Sequence, residues 1–270
     1  MKKWTCLILL CTLCLTLAAC APEEVEMPEE TAPNTGIQAP VKAPWKTPSG
    51  QEVSQSVDAD LDFTAYGLQV AGNGMKTLQQ GTLVKFGHYP QKRSDDPIMW
   101  LVLSSENGTA VLISQDCLDS LPYHNTQENV DWEHCDLRRW LNSDFLSKAF
   151  TSGEQSILLD YESVAHENPK YNTDSGRDVT DTVTILSAEE ATDPVSMYSD
   201  SLRRSWVTPY SVKHGAYKNG DNQGWWWLRT PASTQDRACS VNSDGSMDYV
   251  KGNVTSLHGC VRPVIRVQIP

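Results

Sequence analysis

The chain has 270 residues, 34 acidic against 22 basic side chains, and a net charge of −12. That balance gives no general attraction to phosphate backbones or anionic lipid, which excludes nucleic acid as a partner. The composition, 39 % hydrophobic and 8 % aromatic, is enough for one sizeable core.

Lys2 and Lys3 precede an apolar run from Leu7 to Leu17, about eleven residues, and then Ala18-Ala19-Cys20. A membrane span needs roughly 20 residues. A charged start, a short apolar stretch and small residues before the cut describe a removed export signal. With a cysteine at the cut, residues 1–19 have the layout of a bacterial lipoprotein signal peptide. Cys20 is then the lipidated first residue, carrying a thioether-linked diacylglycerol. Each buried methylene contributes about 0.8 kcal/mol, so two or three chains make attachment durable. The expected location is the extracytoplasmic face of the cell membrane, or an outer membrane where the cell has one. Losing Lys2 and Lys3 with the leader takes the charge from −12 to −14, which leaves the Cys20 lipid as the membrane contact.

Residues 20–57 are rich in Pro, Glu, Ala and Thr, with Pro22, Pro28, Pro33, Pro40, Pro44 and Pro48 spaced along them. Such a segment cannot bury enough apolar surface to offset its chain entropy and reads as a disordered tether. As a flexible coil it spans roughly 35 Å. Residues 58–75 form a lead-in, and 76–270 the globular domain.

Strands are expected at Leu83–Phe86, Met99–Leu103 and Ala110–Ser114, the last two joined by an Asn107-Gly108 turn. Apolar residues from Leu137 to Phe150 recur at helical spacing, with a break or re-cap at Asn142-Ser143-Asp144. Ser152-Gly153-Glu154-Gln155 fits a capping box for a short helix through Leu158, and Ser187-Ala188-Glu189-Glu190 fits another. Between them Thr182–Leu186 alternates like a strand. Residues 192–224 are polar, Gly- and Asn-containing, and read as a long loop with short elements, a kind that is usually functional or mobile. Strands return at Trp225–Leu228, at Ala238–Asn242 and Met247–Val250 around Ser243-Asp244-Gly245, and at Cys260–Val267. The fold class expected is α+β, one compact domain of antiparallel strands with a few short helices.

Cysteine usage sets few constraints. Cys11 and Cys14 lie in the leader. Cys117, Cys135, Cys239 and Cys260 lack the close spacing of a zinc site. Outside the cell disulfides are permitted, and Cys239–Cys260 and Cys117–Cys135 are the local pairings expected, with four buried thiols as the alternative.

Several motifs resemble an uncharacterised bacterial domain found in exported proteins. Asp131-Trp132-Glu133-His134-Cys135-Asp136-Leu137-Arg138-Arg139-Trp140-Leu141-Asn142 resembles its W-E-x-C-x-L-R-x-W-L-N motif. Trp225–Pro231 resembles its W-W-L-R-[ST]-P motif. Gly259–Val264 resembles its closing G-V-R-P, with Cys260 as an extra residue, and Gly87-His88-Tyr89-Pro90-Gln91 resembles its opening G-x-Y-P-Q. The resemblance covers residues 76–270. It implies a closing half similar to the formylglycine-generating-enzyme and C-type-lectin-like fold, which hosts a copper-dependent oxidase and many binding modules. The oxidase's closely spaced cysteine pair is absent here, so fold does not carry that activity over.

No G-x-S-x-G, H-E-x-x-H, Walker loop or Rossmann fingerprint occurs, and His166-Glu167 runs into Asn168-Pro169. His134 beside Cys135 reads as a helix start rather than a thiolate pair. Asn242–Asp248 reads as a turn rather than a calcium loop. No catalytic residue, metal ligand or cofactor is assigned. The ligand-binding candidates are Trp225, Trp226, Trp227, Arg229, Asn222 and Arg262. On a strand with one solvated face, at least one of the three indoles points outward, and it could stack on a sugar ring beside Asn222 and its polar neighbours. The alternative is that all three are buried. Arg229 and Arg262 are forked donors to carbonyls, carboxylates or an anionic ligand. The leading expectation is a surface-anchored, non-enzymatic module for a glycan or an envelope or host polymer. The alternatives are a metal- or thiol-dependent enzyme using Cys239 or Cys260, and a structural subunit of an envelope complex.

Overall fold

A computed structural model describes residues 69–70, 74–195, 197 and 199–269, all within the unit Lys42–Pro270. The leader, Cys20, the tether and most of the 58–75 lead-in lie outside the described residues. Among the described residues no helix is long and apolar enough to cross a membrane.

An antiparallel meander of Leu83–Tyr89, Asp96–Glu106 and Thr109–Ser114 opens the larger sheet. The three expected strands lie inside these, and Asn107-Gly108 makes the turn. The strands run longer than their alternation indicates because long stretches are covered on both faces, which erases the period of two. Val264–Gln268 pairs with Thr109–Ser114, from Val264 opposite Ile113 to Gln268 opposite Thr109. Val183–Thr184 and Leu158–Leu159 share its other edge.

The second sheet runs Met247–Asn253, Arg237–Val241, Trp226–Pro231, Cys260–Val261, Asp119–Ser120. Its pairs are antiparallel except Trp226 against Cys260, which is parallel. The single closing strand expected at Cys260–Val267 is therefore two strands in two sheets. Pro263 has no N–H to give a ladder. The chain crosses there, and the Pro263 carbonyl accepts from Ser114 N at 2.9 Å.

The expected break at 142–144 is a π-helical turn, Leu141–Phe145, inside a continuous helical segment from Asp136 to Ala149. Asn142 leaves the helix surface to accept from Thr182 N and Val183 N and to donate to the Val183 carbonyl. The first capping box sits one residue earlier than expected. Thr151 is the cap, its hydroxyl accepting from Glu154 N while the Glu154 carboxylate accepts from Thr151 N. That helix ends at Gln155, and Leu158 belongs to a strand. The Ser187/Glu190 box forms as expected and starts a short turn, Glu190–Thr192. The architecture is α+β, mostly antiparallel strands with few short helices.

Two apolar clusters make the core, and the Trp226–Pro231 strand lies between them. Trp226 and Leu228 join Leu101, Ile113, Cys117, Cys260 and Val264; Trp227 joins Trp100, Tyr123, Phe145 and Val261. Both indoles are 0 % exposed. Burying each is worth about 4–6 kcal/mol by area. A Cβ at Gly259 would stand 2.2 Å from Trp227 Nε1, so the closing motif's glycine is the space the indole occupies.

Candidate functional site

The strand carrying Trp226, Trp227 and Arg229, three of the six expected ligand contacts, is interior. Trp226 Nε1 donates to the Arg203 carbonyl at 3.0 Å, and Trp227 Nε1 to the Leu121 carbonyl at 2.9 Å. The outward indole expected within this strand is not there, because both its faces are covered by core. Arg262 is buried, donating to the carbonyls of Ser114 at 2.8 Å and Arg203 at 3.3 Å, with its guanidinium 5.1 Å from the Trp226 ring. Of its expected roles it takes the carbonyl clamp. Burial pulls the Arg262 guanidinium down to about 10.

Arg229 is buried and forks onto Glu190 at 2.5 and 2.6 Å, with Ile185 O at 2.7 Å as a further acceptor. Burial would raise the Glu190 carboxyl, but the Arg229 fork more than offsets it and holds the group below its ordinary range. Tyr161 OH donates to the same carboxylate at 3.1 Å, and burial with that negative charge raises its phenol well above the usual value. Behind this node opens a cleft of about 490 Å³ floored by Leu103, Val111, Tyr161 and Leu186, with Glu190 and Thr192–Val195 on its rim. The strand end at Arg229 thus shapes a cleft without lining it.

The cysteines do not take the expected pairings: Cys117, Cys135, Cys239 and Cys260 are all free, buried thiols. Cys135 caps the Asp136 helix, its sulfur accepting from Arg138 N and donating to the Trp132 carbonyl, and burial pushes it up to about 12. It sits in the core cluster opposite to that of Cys117. The Cys239 sulfur donates to Pro231 O and accepts from Asn168 Nδ2. Burial pushes it, too, up to about 12.

The motif at 131–142 is an internal tie. Asp181, whose side chain is buried, accepts from Trp132 Nε1 at 2.9 Å, Arg138 Nε at 2.7 Å and Ser163 Oγ at 2.7 Å. Nothing in the sequence pattern singles out Asp181, because an aspartate between two threonines carries no buried-residue signal. Nearby, Asp131, Glu133 and His134 have ligand atoms within 4.8 Å of one another, a grouping able to hold a metal ion. His134 Nδ1 already lies 2.6 Å from Asp131, and Arg177 forks onto Glu133. In the 242–248 turn, Asp244 Oδ1 accepts from Ser246 N and Oγ.

The open surface lies at the other end of the tryptophan strand. Trp225 is half-buried, its ring 4.7 Å from Trp227 in an edge-on contact. Its carbonyl accepts from Cys260 N, and Leu121 N donates to Gly259 O, which places Trp225, Gly259 and Leu121 side by side. Gly224, just before it, abuts the Tyr217 carbonyl. Tyr217 is 50 % exposed and its N–H donates to the His258 carbonyl. Asn219 Oδ1 accepts from Asp221 N and Gln223 N and so folds the 219–223 turn, in which Asn222 is exposed at φ 59°.

Beneath this surface sits a carboxylate–imidazole pair that sequence reasoning missed. Asp119 is buried; Oδ2 accepts from Tyr89 OH at 2.6 Å, and Oδ1 from Ser120 N at 2.8 Å. His214 Nδ1 lies 2.6 Å from Oδ1. An ionised carboxylate can only accept, so Nδ1 carries the proton and Nε2 is left on the other side of the ring. The His214 side chain is 36 % exposed, and Tyr210 packs 4.0 Å from its ring. Burial and the Asp119 charge raise the Tyr89 phenol far above its ordinary value. The only sequence pointer was Tyr89 in the G-x-Y-P-Q motif; Asp119 and His214 are 95 residues apart and meet only in the fold.

The chain matches the family model of a domain of unknown function, DUF6273, over residues 107–269, more than half its length. It belongs to that family. No curated protein and no solved structure matches it. The matched span begins after the first two strands of the larger sheet, so the folded unit extends N-terminal to it.

Proposed function

We propose that this chain is a lipid-anchored extracytoplasmic binding module, attached through Cys20 and lifted from the membrane by its 20–57 tether. Its C-type-lectin-like domain takes a glycan, or an envelope or host polymer, at the Trp225 end. The observation that carries this reading is the half-buried Trp225 close after the amide-rich 219–223 turn, with the backbone of the exposed Tyr217 against Gly224. An aromatic ring with neighbouring amides matches a ligand having both apolar ring faces and hydroxyls. The enzyme alternative through Cys239 or Cys260 is opposed by their burial, which keeps both sulfurs out of contact with solvent.

Pull-down on peptidoglycan and a glycan array, using the unlipidated Cys20→Ala chain, tests the ligand class. Trp225→Ala and Tyr217→Ala should each weaken binding about tenfold. Unchanged binding in both removes the site. Recovery of the Cys20→Ala chain in the membrane fraction would remove the anchor.

A further inference from the structure

We propose that the polymer taken at the Trp225 end is an anionic glycan, one bearing carboxylate or phosphate groups, and that Lys148, Lys213 and Lys218 meet those groups. The inference rests on the glycan-binding reading and adds the ligand's charge to it.

The chain as a whole is acidic, but its carboxylates are unevenly placed. From residue 201 to 235 the one acidic side chain is Asp221, against Arg203, Arg204, Lys213, Lys218 and Arg229. The arginines are spent on their own chain. Arg203 and Arg229 are buried, and Arg204 donates to the Asp244 carbonyl at 2.9 Å. Lys213 and Lys218 remain exposed, on the stretch that runs from the Pro209–Lys213 helix to the 219–223 turn. Lys148 joins them from the Leu146–Ala149 helical turn. Its Nζ donates to Tyr210 OH at 3.2 Å and stands 4.8 and 5.2 Å from the ring centres of Tyr89 and Tyr210. A run of contacts makes this one surface. Tyr210 packs on His214, His258 Nδ1 donates to the Gly215 carbonyl at 2.8 Å, Tyr217 N donates to the His258 carbonyl, and Lys218 reaches Asn222. Trp225 ends the same stretch.

The ammonium groups are oriented without being neutralised. Among the described residues no carboxylate pairs with Lys148, Lys213 or Lys218. Two aromatic faces and a phenol hold Lys148, which attracts a cation and leaves its charge in place. An amide oxygen does the same for Lys218. The buried Asp119 is already met by Tyr89 OH, Ser120 N and His214. At physiological ionic strength charges more than about 8 Å apart are largely screened. A ligand on this surface therefore meets the local lysines rather than the net charge of the chain. A neutral sugar gains from the aromatic rings alone. A carboxylate or phosphate on that sugar adds a charge-assisted hydrogen bond at each ammonium it reaches. With Nδ1 donating to Asp119, His214 Nε2 is an acceptor on a partly exposed ring and suits a sugar hydroxyl.

The unlipidated Cys20→Ala chain is titrated, at low and at high salt, against immobilised dextran, carboxymethyl-dextran and phosphorylated dextran, which share one backbone. The expected result is binding to a charged form about tenfold tighter than to dextran, with the advantage shrinking at high salt. The tighter of the two charged forms tells carboxylate from phosphate. Lys148→Gln, Lys213→Gln and Lys218→Gln should each weaken binding to that form about two- to fivefold and leave dextran binding unchanged. Lys251→Gln makes the same charge change on the exposed edge strand Met247–Asn253 and should alter neither. If all three polymers bind alike and Trp225→Ala weakens each, the glycan site stands and this proposal falls. If Lys251→Gln weakens binding as much as the other three variants, net charge rather than this surface is responsible, and the proposal falls. If the lysine variants weaken binding while Trp225→Ala and Tyr217→Ala do not, the lysine surface stands and the aromatic site falls. Binding to neither charged form also overturns the proposal, and the peptidoglycan pull-down then decides the glycan reading by itself.

Discussion

The two ends of the tryptophan strand each carry a residue expected to contact a ligand, and the two meet opposite fates. At Arg229 the guanidinium finds Glu190 and the Ile185 carbonyl, both from its own chain, and closes on them. At Trp225 the indole packs edge-on against Trp227 and keeps part of its surface in solvent. Residue type does not separate a structural group from a binding group. What separates them is whether the fold supplies the partner that the side chain's chemistry requires.

The largest effect should come from the strand's interior. Trp226→Ala and Trp227→Ala should each cost about 3–5 kcal/mol in urea unfolding, from lost transfer energy and the cavity left behind. Trp225→Ala should cost about 1 kcal/mol, the scale of one edge-on aromatic contact. Equal losses at 225 and 227 would erase the distinction between the ends.

Arg229→Ala comes next, at about 3 kcal/mol, because it strands Glu190 and the carbonyls of Ile185 and Val164. That is the low end for a buried pair, since the Glu190 side chain keeps 23 % of its exposure. The loss should not add to that of Glu190→Gln. Glu190 has a depressed folded pKa, so its contribution is complete above the ordinary carboxylate range and is lost as pH falls through the folded value. Stability measured from pH 7 down to 3 should therefore fall less steeply in Glu190→Gln than in the parent. Parallel acid limbs would show that the pair is not coupled to folding.

The legible part of this fold was local. Asn107-Gly108 and the Ser187/Glu190 box rest on contacts within a few residues, and the strands at 83–86, 99–103 and 110–114 pair with the next strand along the chain. The misread parts were decided by distant chain. The helix does not break at Asn142, because a π-turn lets that side chain serve Thr182 and Val183. The closing strand divides because each half pairs in a different sheet. For the site, Asn222 is exposed and Trp225 half-buried, whereas the sequence pattern did not distinguish which of the three indoles would reach the surface. Trp226, Trp227 and Arg229 went to the interior because both faces of their strand are covered, and Arg262 because it clamps the Ser114 and Arg203 carbonyls where the chain passes between the sheets. Asp119 and His214 carried no signal, since a buried carboxylate is recognisable only once Tyr89 and His214 stand around it.

That pair gives a third contrast. Tyr89→Phe removes a donor to a buried charge and should cost about 1.5–3 kcal/mol. His214→Ala exposes the same carboxylate to water and should cost less. A larger loss at His214 would make the imidazole, rather than Tyr89, the main support of Asp119, and would move the open surface toward the structural class.

The smallest effect is also the one that bears most directly on the Trp225 end. Asn222 holds φ 59°, where a Cβ is strained by roughly 1–2 kcal/mol and asparagine is tolerated better than most residues. Its Oδ1 accepts from Lys218 Nζ at 3.1 Å in an exposed contact of little worth. Asn222→Ala should thus cost about 1 kcal/mol, while Asn222→Gly should stay within about 0.5 kcal/mol of the parent. The glycine variant keeps the turn and deletes only the amide. If it binds peptidoglycan or glycan as well as the parent does, Asn222 is a turn residue and the recognition surface shrinks to the two aromatics. If binding falls while stability holds, the amide is a ligand contact that the fold itself does not use.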